Sequence, residues 1–207
     1  MQETKRTPQE EFWAGEFGNH YIDRNKNSGL QSSKVAMFSR IVEHAPGVSS
    51  VLELGANIGL NIVALKCLLP AAQFHAVEIN QVAFGQLSEI PNIRAELGSL
   101  LDKHTGQKVD LSFTCGVLIH VNPDRLVEAY ARLYESSRRY VLVAEYYNQN
   151  PVELSYRGHT GKLFKRDFAG DLMQKYPDLK LIDYGFVYRN DPMFPLDDLT
   201  WFLMEKR

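Results

Sequence analysis

Only two cysteines, Cys67 and Cys115, occur in the chain, and they lack the spacing of metal ligands. Both fall in apolar segments, which predicts reduced thiols in the core and neither a disulfide framework nor a metal site. No apolar run approaches the roughly 20 residues of a membrane span. Met1–Gln9 is polar and lacks the apolar centre of a secretory signal. The expectation is a cytoplasmic protein without a membrane partner. An excess of charge is missing too: 23 basic against 25 acidic residues leave a formal net charge of −2. That balance gives no global attraction to nucleic-acid phosphates or anionic lipid. Internal repeats, low-complexity tracts and linkers are absent as well. What remains is ordinary globular usage, 44% apolar and 23% charged over 207 residues, enough for one domain with a core covered on two faces.

The chain opens with Phe12, Trp13, Phe17, Tyr21 and Ile22 spaced four and five apart, which predicts one or two short helices with a sticky face. Asn27-Ser28-Gly29 reads as a turn. Lys34–His44 reads as a helix that Pro46-Gly47 ends. From Val51 the pattern alternates. Strands are predicted at Val51–Leu54, Phe74–Val77, Asn92–Leu97, Val109–Cys115 and Tyr140–Glu145, with helices at Leu60–Leu69, after Asn122-Pro123-Asp124, and at Asp167–Tyr176. Between Glu145 and Asp167 lies the longest irregular stretch, read as a loop of about 20 residues, a length that is often functional. Lys180–Tyr188 and Thr200–Glu205 have no helix between them and should pair antiparallel. Residues 1–46 are read as an N-terminal cap with the first helices, and 47–207 as the main domain.

Glu53-Leu54-Gly55-Ala56-Asn57-Ile58-Gly59 follows the first central strand and opens a helix. Glycines there let a ligand press against the backbone, and the helix start offers free N–H groups. Glu78 ends the next strand, where a carboxylate can accept both hydroxyls of a ribose. A nicotinamide-type Gly-x-Gly-x-x-Gly from Gly55 would need glycines where Asn57 and Leu60 stand, and a P-loop would need Gly-Lys-Ser/Thr. A structural strand-to-helix turn without a ligand is the remaining alternative.

The block resembles motif I of the S-adenosylmethionine-dependent methyltransferases, acid-x-Gly-x-Gly-x-Gly, with Asn57 in place of the middle glycine; Asn also enters left-handed backbone. The resemblance implies an α/β, Rossmann-like sheet of seven mostly parallel strands, helices on both faces and an antiparallel terminal hairpin. It also implies S-adenosylmethionine as cofactor, met by Glu53, Gly55, Ala56, Asn57, Gly59, Glu78 and Ile79. Ser99 and Leu100 would stand at the adenine, and Cys115, Gly116 and Val117 beside the adenosine and methionine. More distinctive blocks, Gln9–Asn25, Tyr156–His159 with Leu163–Gly170, Gly116–Pro123 and Trp201-Phe202-Leu203, are similar to methylases found with pseudaminic acid biosynthesis. This narrower resemblance implies methyl transfer to a sugar or sugar nucleotide of nonulosonic acid or surface-glycan biosynthesis; the alternatives are another small-molecule or protein acceptor, or a cofactor-binding scaffold without catalysis. An Asn/Asp-Pro-Pro-aromatic motif, which would suit methylation of base amines, is absent.

Methyl transfer to a hydroxyl needs a base near the acceptor, in the crevice beyond the carboxyl ends of the strands. His120 and His159 are the candidates, with the alternative that His120 only braces its loop. Arg157, Lys165 and Arg166 are candidates to clamp an anionic sugar, or belong to a solvated face. Tyr146 and Tyr147 would line the acceptor pocket or merely pack. Trp13 and Tyr21 would close over the cofactor, with Tyr21 or Arg24 near its methionine end.

Overall fold

Val51–Leu54 is apolar toward both faces and flanked by Gly47 and Gly55, the composition of a central parallel strand. It forms β1 (Ser50–Leu54), every residue of it buried. The computed structural model describes residues 6–23, 28–102 and 108–207. In chain order the elements are α1 (Pro8–Ala14), α2 (Glu16–Ile22), α3 (Ser28–Val42), β1, α4 (Leu60–Leu68), β2 (Gln73–Glu78), α5 (Gln81–Ser88), β3 (Ile93–Leu97) and β4 (Val109–Cys115). There follow α6 (Leu126–Ser136), β5 (Ser137–Glu145), β6 (Val152–Tyr156), β7 (His159–Lys165), α7 (Phe168–Lys175), β8 (Leu179–Val187) and β9 (Leu199–Lys206).

Seven strands make the main sheet in the order β3-β2-β1-β4-β5-β9-β8. The first five run parallel, and β9 pairs antiparallel with both β5 and β8. This is the expected mostly parallel sheet with a reversed terminal pair. The chain leaves β1 toward β2 and β3, then returns to add β4 on the other side. Such a reversal opens a crevice at the carboxyl ends of the strands.

Side chains alternate across the sheet into two cores. Val51, Leu111, Phe113, Leu142 and Leu203 face one, with Phe38 and Ile41 of α3 and Ile62 and Leu65 of α4. Leu52, Leu54, Val141, Val143 and Met204 face the other, under Leu126, Ala129 and Leu133 of α6 and Phe168 and Leu172 of α7. Phe38 meets Phe113 edge-on at 5.6 Å. Each such fully buried side chain contributes roughly 1.5–3 kcal/mol of transfer free energy, so α3 belongs to the main core.

Four expectations are corrected. Ser28 and Gly29 already lie in α3 rather than in a turn; Asn27 and Arg24 lie outside the described residues. The helix α5, between β2 and β3, was not read from the sequence. The stretch 146–166 is no irregular loop: it holds the antiparallel hairpin β6–β7, a separate two-stranded sheet. Finally, Cys67 is exposed on α4 rather than part of the core, while Cys115 is half-buried.

Candidate active site

A cavity partly open to solvent lies over the carboxyl ends of β1 to β4. Its floor is the turn after β1, where Gly55, Ala56, Asn57 and Ile58 reach the wall. Gly55 and Asn57 have φ of +84° and +50°, so Asn57 takes the left-handed backbone anticipated for it. A Cβ on Gly55 would sit 2.7 Å from Val117, so glycine here makes room for that side chain. Gly59, with φ +85°, caps α4. It does not line the cavity: a Cβ there would meet Ile90 and Leu87 at 2.4 and 2.8 Å, so its bareness serves packing.

Glu78, at the end of β2, lines the cavity and is 6% exposed. Its Oε2 accepts the Asn57 N–H at 2.6 Å and its Oε1 the Asn80 N–H at 2.7 Å. These bonds, with a further one from the Ile79 N–H, orient the carboxylate. Burial raises its pKa while the backbone donors oppose that. Ile79 is also on the wall.

Glu53 lies beneath the floor, fully buried and not on the wall. Its Oε1 accepts from the Asn61 amide at 2.6 Å, and Asn61 Oδ1 accepts from Lys34 Nζ at 2.6 Å. Glu53 Oε2 has no partner, and burial raises the pKa to about 8. Lys34 and Asn61 both reach the cavity, and Lys34 is the one ammonium on its wall among the described residues. Neither was a candidate from the sequence. Lys34 has no motif around it, and its partner stands 27 residues away.

After β4, Cys115, Gly116 and Val117 line the cavity as expected. The Cys115 thiol is pushed up to about 12 by burial, so it is neutral and not a nucleophile. A Cβ on Gly116, at φ +69°, would meet no protein atom within 4 Å; the space beside it is open. Glu145, at the end of β5, holds this loop by accepting from the N–H groups of Val117, Leu118 and Ile119 at 3.1, 3.1 and 3.4 Å. Its pKa is raised to about 7 by burial, against those bonds. The sequence showed Glu145 only as the end of a strand.

His120 follows on the same loop and lines the cavity. Its Nδ1 lies 2.6 Å from the carbonyl oxygen of Lys162 in β7. A carbonyl only accepts, so the proton resides on Nδ1 and Nε2 carries the lone pair. Burial lowers the pKa to about 4. The ring lies 4.5 Å from that of Trp13 and 4.9 Å from that of Tyr156.

The roof is α1 and α2. Trp13 and Tyr21 line the cavity, their rings edge-on at 5.2 Å. The roof is tied on one side by Asn80, whose amide donates to the Trp13 carbonyl at 3.1 Å and to Asn19 Oδ1 at 2.8 Å. On the other side Gln9 donates to the Gly161 carbonyl at 2.9 Å, and Lys162 Nζ to that of Pro8 at 2.7 Å. Ser99 and Leu100 are on the wall, yet the Ser99 hydroxyl donates to Glu10 of α1 at 2.5 Å.

The remaining candidates lie off the wall. His159 is exposed and packs against Phe12 and Phe17 at 4.9 and 5.6 Å. Arg166 pairs with Asp171 at 2.7 Å. Lys165 Nζ lies 5.1 Å from the centre of the Tyr146 ring, and Tyr147 is exposed beside Phe202. Arg157 is exposed in the hairpin turn, 5.8 Å from the Tyr156 ring centre. Among the described residues no group of three His, Cys, Asp or Glu side chains could hold a metal ion, and no helix is long and apolar enough to cross a membrane.

No family model and no curated protein matches the chain. Solved structures do match in fold. The chain is 11% identical to 1,6-didemethyltoxoflavin-N1-methyltransferase from Burkholderia thailandensis, with a TM-score of 0.72 over 100% of this chain and 93% of that one. It is 12% identical to magnesium protoporphyrin IX methyltransferase from Synechocystis, bound to S-adenosylhomocysteine, with a TM-score of 0.71 over 96% and 98%. To a sugar N-methyltransferase from a Streptoalloteichus species it is 11% identical, with a TM-score of 0.66 over 94% of each chain. The fold is therefore the Rossmann-like fold of these methyltransferases.

Proposed function

We propose that the chain is an S-adenosylmethionine-dependent methyltransferase acting on a sugar or sugar nucleotide of nonulosonic (pseudaminic) acid or surface-glycan biosynthesis. One observation carries the cofactor reading: Glu78 presents an oriented carboxylate into a cavity that the backbone of Gly55 lines and that is open beside Gly116. The donor set fits the group. Glu78 accepts the ribose hydroxyls, the backbone of 55–57 backs the nucleoside, and Lys34 is the cation for the carboxylate of the methionine moiety. When bound, the cofactor supplies a methyl group on a sulfonium.

This chain's residues supply alignment and proton removal. His120 lines the cavity, its lone pair set on Nε2 by the Lys162 carbonyl, and takes the proton from the acceptor hydroxyl. Glu145 positions it by fixing the preceding turn. Trp13 and Tyr21 exclude water from above. The sugar reading is supported by the distinctive sequence blocks, two of which contain α1 with α2, and the hairpin turn with the end of β7 and the start of α7. They meet through Phe12 and His159, and Gln9 donates to the Gly161 carbonyl between the two parts of the second block. Arg157, next to Tyr156 in the hairpin turn, is the proposed clamp for an anionic group; His159 follows the same turn, while Lys165 stands at the other end of the hairpin opposite Val152.

Calorimetry with S-adenosylhomocysteine tests the cofactor reading. Wild-type protein should bind, and E78Q should bind at least tenfold more weakly, since hydrogen bonds to charged groups are worth about 1.5–3 kcal/mol. Absence of binding by the wild type would sink it. Labelled S-adenosylmethionine with purified sugar nucleotides and mass spectrometry of the product then tests the acceptor class.

A further inference from the structure

Two carboxylates line the cavity among the described residues, and the reading above uses only Glu78. The other, Glu10, comes from α1, outside the main sheet. Strand order decides what Glu10 faces. A ribose held at the end of β2, with the sulfonium end directed to Gly55 and Gly116 after β1 and β4, leaves the nucleobase over the remaining neighbour, β3. The loop after β3 gives Ser99, Leu100 and Leu101 to the wall. Its own acid, Asp102, accepts from the Ser99 N–H at 2.9 Å, is exposed, and is not on the wall.

Glu10 fills that position from the opposite side. Its Oε1 accepts the Ser99 hydroxyl at 2.5 Å and its Oε2 the Thr7 N–H at 2.8 Å. Each carboxylate oxygen has room for a second donor. We propose that Glu10 accepts a hydrogen bond from the 6-amino group of the adenine, so that the roof helix reads the base while the sheet reads the ribose. The inference rests on the cofactor reading and names the residue that selects its nucleobase. A 6-oxo base would instead set a carbonyl against the carboxylate, acceptor against acceptor.

The test compares S-adenosylhomocysteine with its 6-deamino analogue, the purine riboside, which differs only in carrying hydrogen for the 6-amino group. Wild-type protein should bind the adenosyl compound at least tenfold more tightly by calorimetry. In E10Q that ratio should fall to within about threefold. Gln at this position still completes the capping box with Thr7, so an unchanged melting temperature serves as the folding control. E10A, read the same way, should also lose the preference. If E10Q and E10A keep the wild-type ratio, or if the wild type binds both compounds equally, the assignment of Glu10 is overturned while the cofactor reading stands. If the wild type binds neither, the cofactor reading itself falls and takes this inference with it.

Discussion

His120 shows how surroundings choose a residue's chemistry. Burial lowers its pKa to about 4 from the usual 6.5, so the imidazole is neutral at physiological pH and its lone pair is always available. A base works only when unprotonated. Methyl transfer should therefore persist below pH 6.5 and fail only as pH approaches about 4, which a pH–rate profile of kcat reads directly. H120Q should lower kcat by about 10²–10⁴-fold and leave affinity for S-adenosylhomocysteine unchanged. The glycines separate in a similar way. G116A introduces a side chain at positive φ into open space: about 1 kcal/mol of backbone strain, but a large loss of cofactor affinity. G55A adds contact with Val117, so its thermal shift should exceed that of G116A. Gly55, Asn57 and Glu78 were legible in the sequence because one turn and one strand end define them locally. Glu10, Lys34 and Glu145 were not: their partners stand 89, 27 and about 27 residues away, and no spacing announces a contact across such distances.

At the scale of elements, the central strands β1, β4 and β5 were legible because they are largely buried on both faces. The hairpin was not. β6 runs from half-buried Val152 through exposed Glu153, Leu154 and Ser155, so it lacks the alternation that marks a strand against a core. Its one local sign is Arg157-Gly158, whose φ values of +52° and +85° suit a two-residue hairpin turn. The helix α5 was missed because it buries only Ala83 and Leu87 and carries Gly85 in its middle. Its clearest signal is Asn80, which caps it through the Val82 and Ala83 N–H groups at 3.0 and 2.9 Å and also ties down the roof. N80A should therefore cost about 1–2 kcal/mol for the cap, a fall in Tm of several degrees. It should also weaken cofactor binding, an effect that a cap remote from the site would not have.

Across the whole molecule, buried acids set the response to pH. Glu53 and Glu145 are raised by burial from 4.5 to about 8 and about 7, and Glu78 moves the same way. Folding thus takes up protons on these groups above pH 4.5, and their contribution makes stability fall as pH rises through the window up to about 8. His120 acts oppositely, adding stability as pH rises from about 4 to 6.5. Just above pH 6.5 the acids act without His120, so Tm should decline there, until Lys206, lowered to about 8 by burial, begins to oppose them. The double variant E53Q/E145Q should flatten that slope, which differential scanning calorimetry at a series of pH values would show.

The two tryptophans divide the molecule in another sense. Trp201 is packed in the core, with its ring against Gly185, whereas Trp13 forms part of the cavity wall beside His120. Of two indoles in the chain, one thus watches the interior and the other the site. Intrinsic emission is a built-in gauge of occupancy: on titration with nucleoside the light from Trp13 changes colour or intensity, while that from Trp201 supplies a constant background.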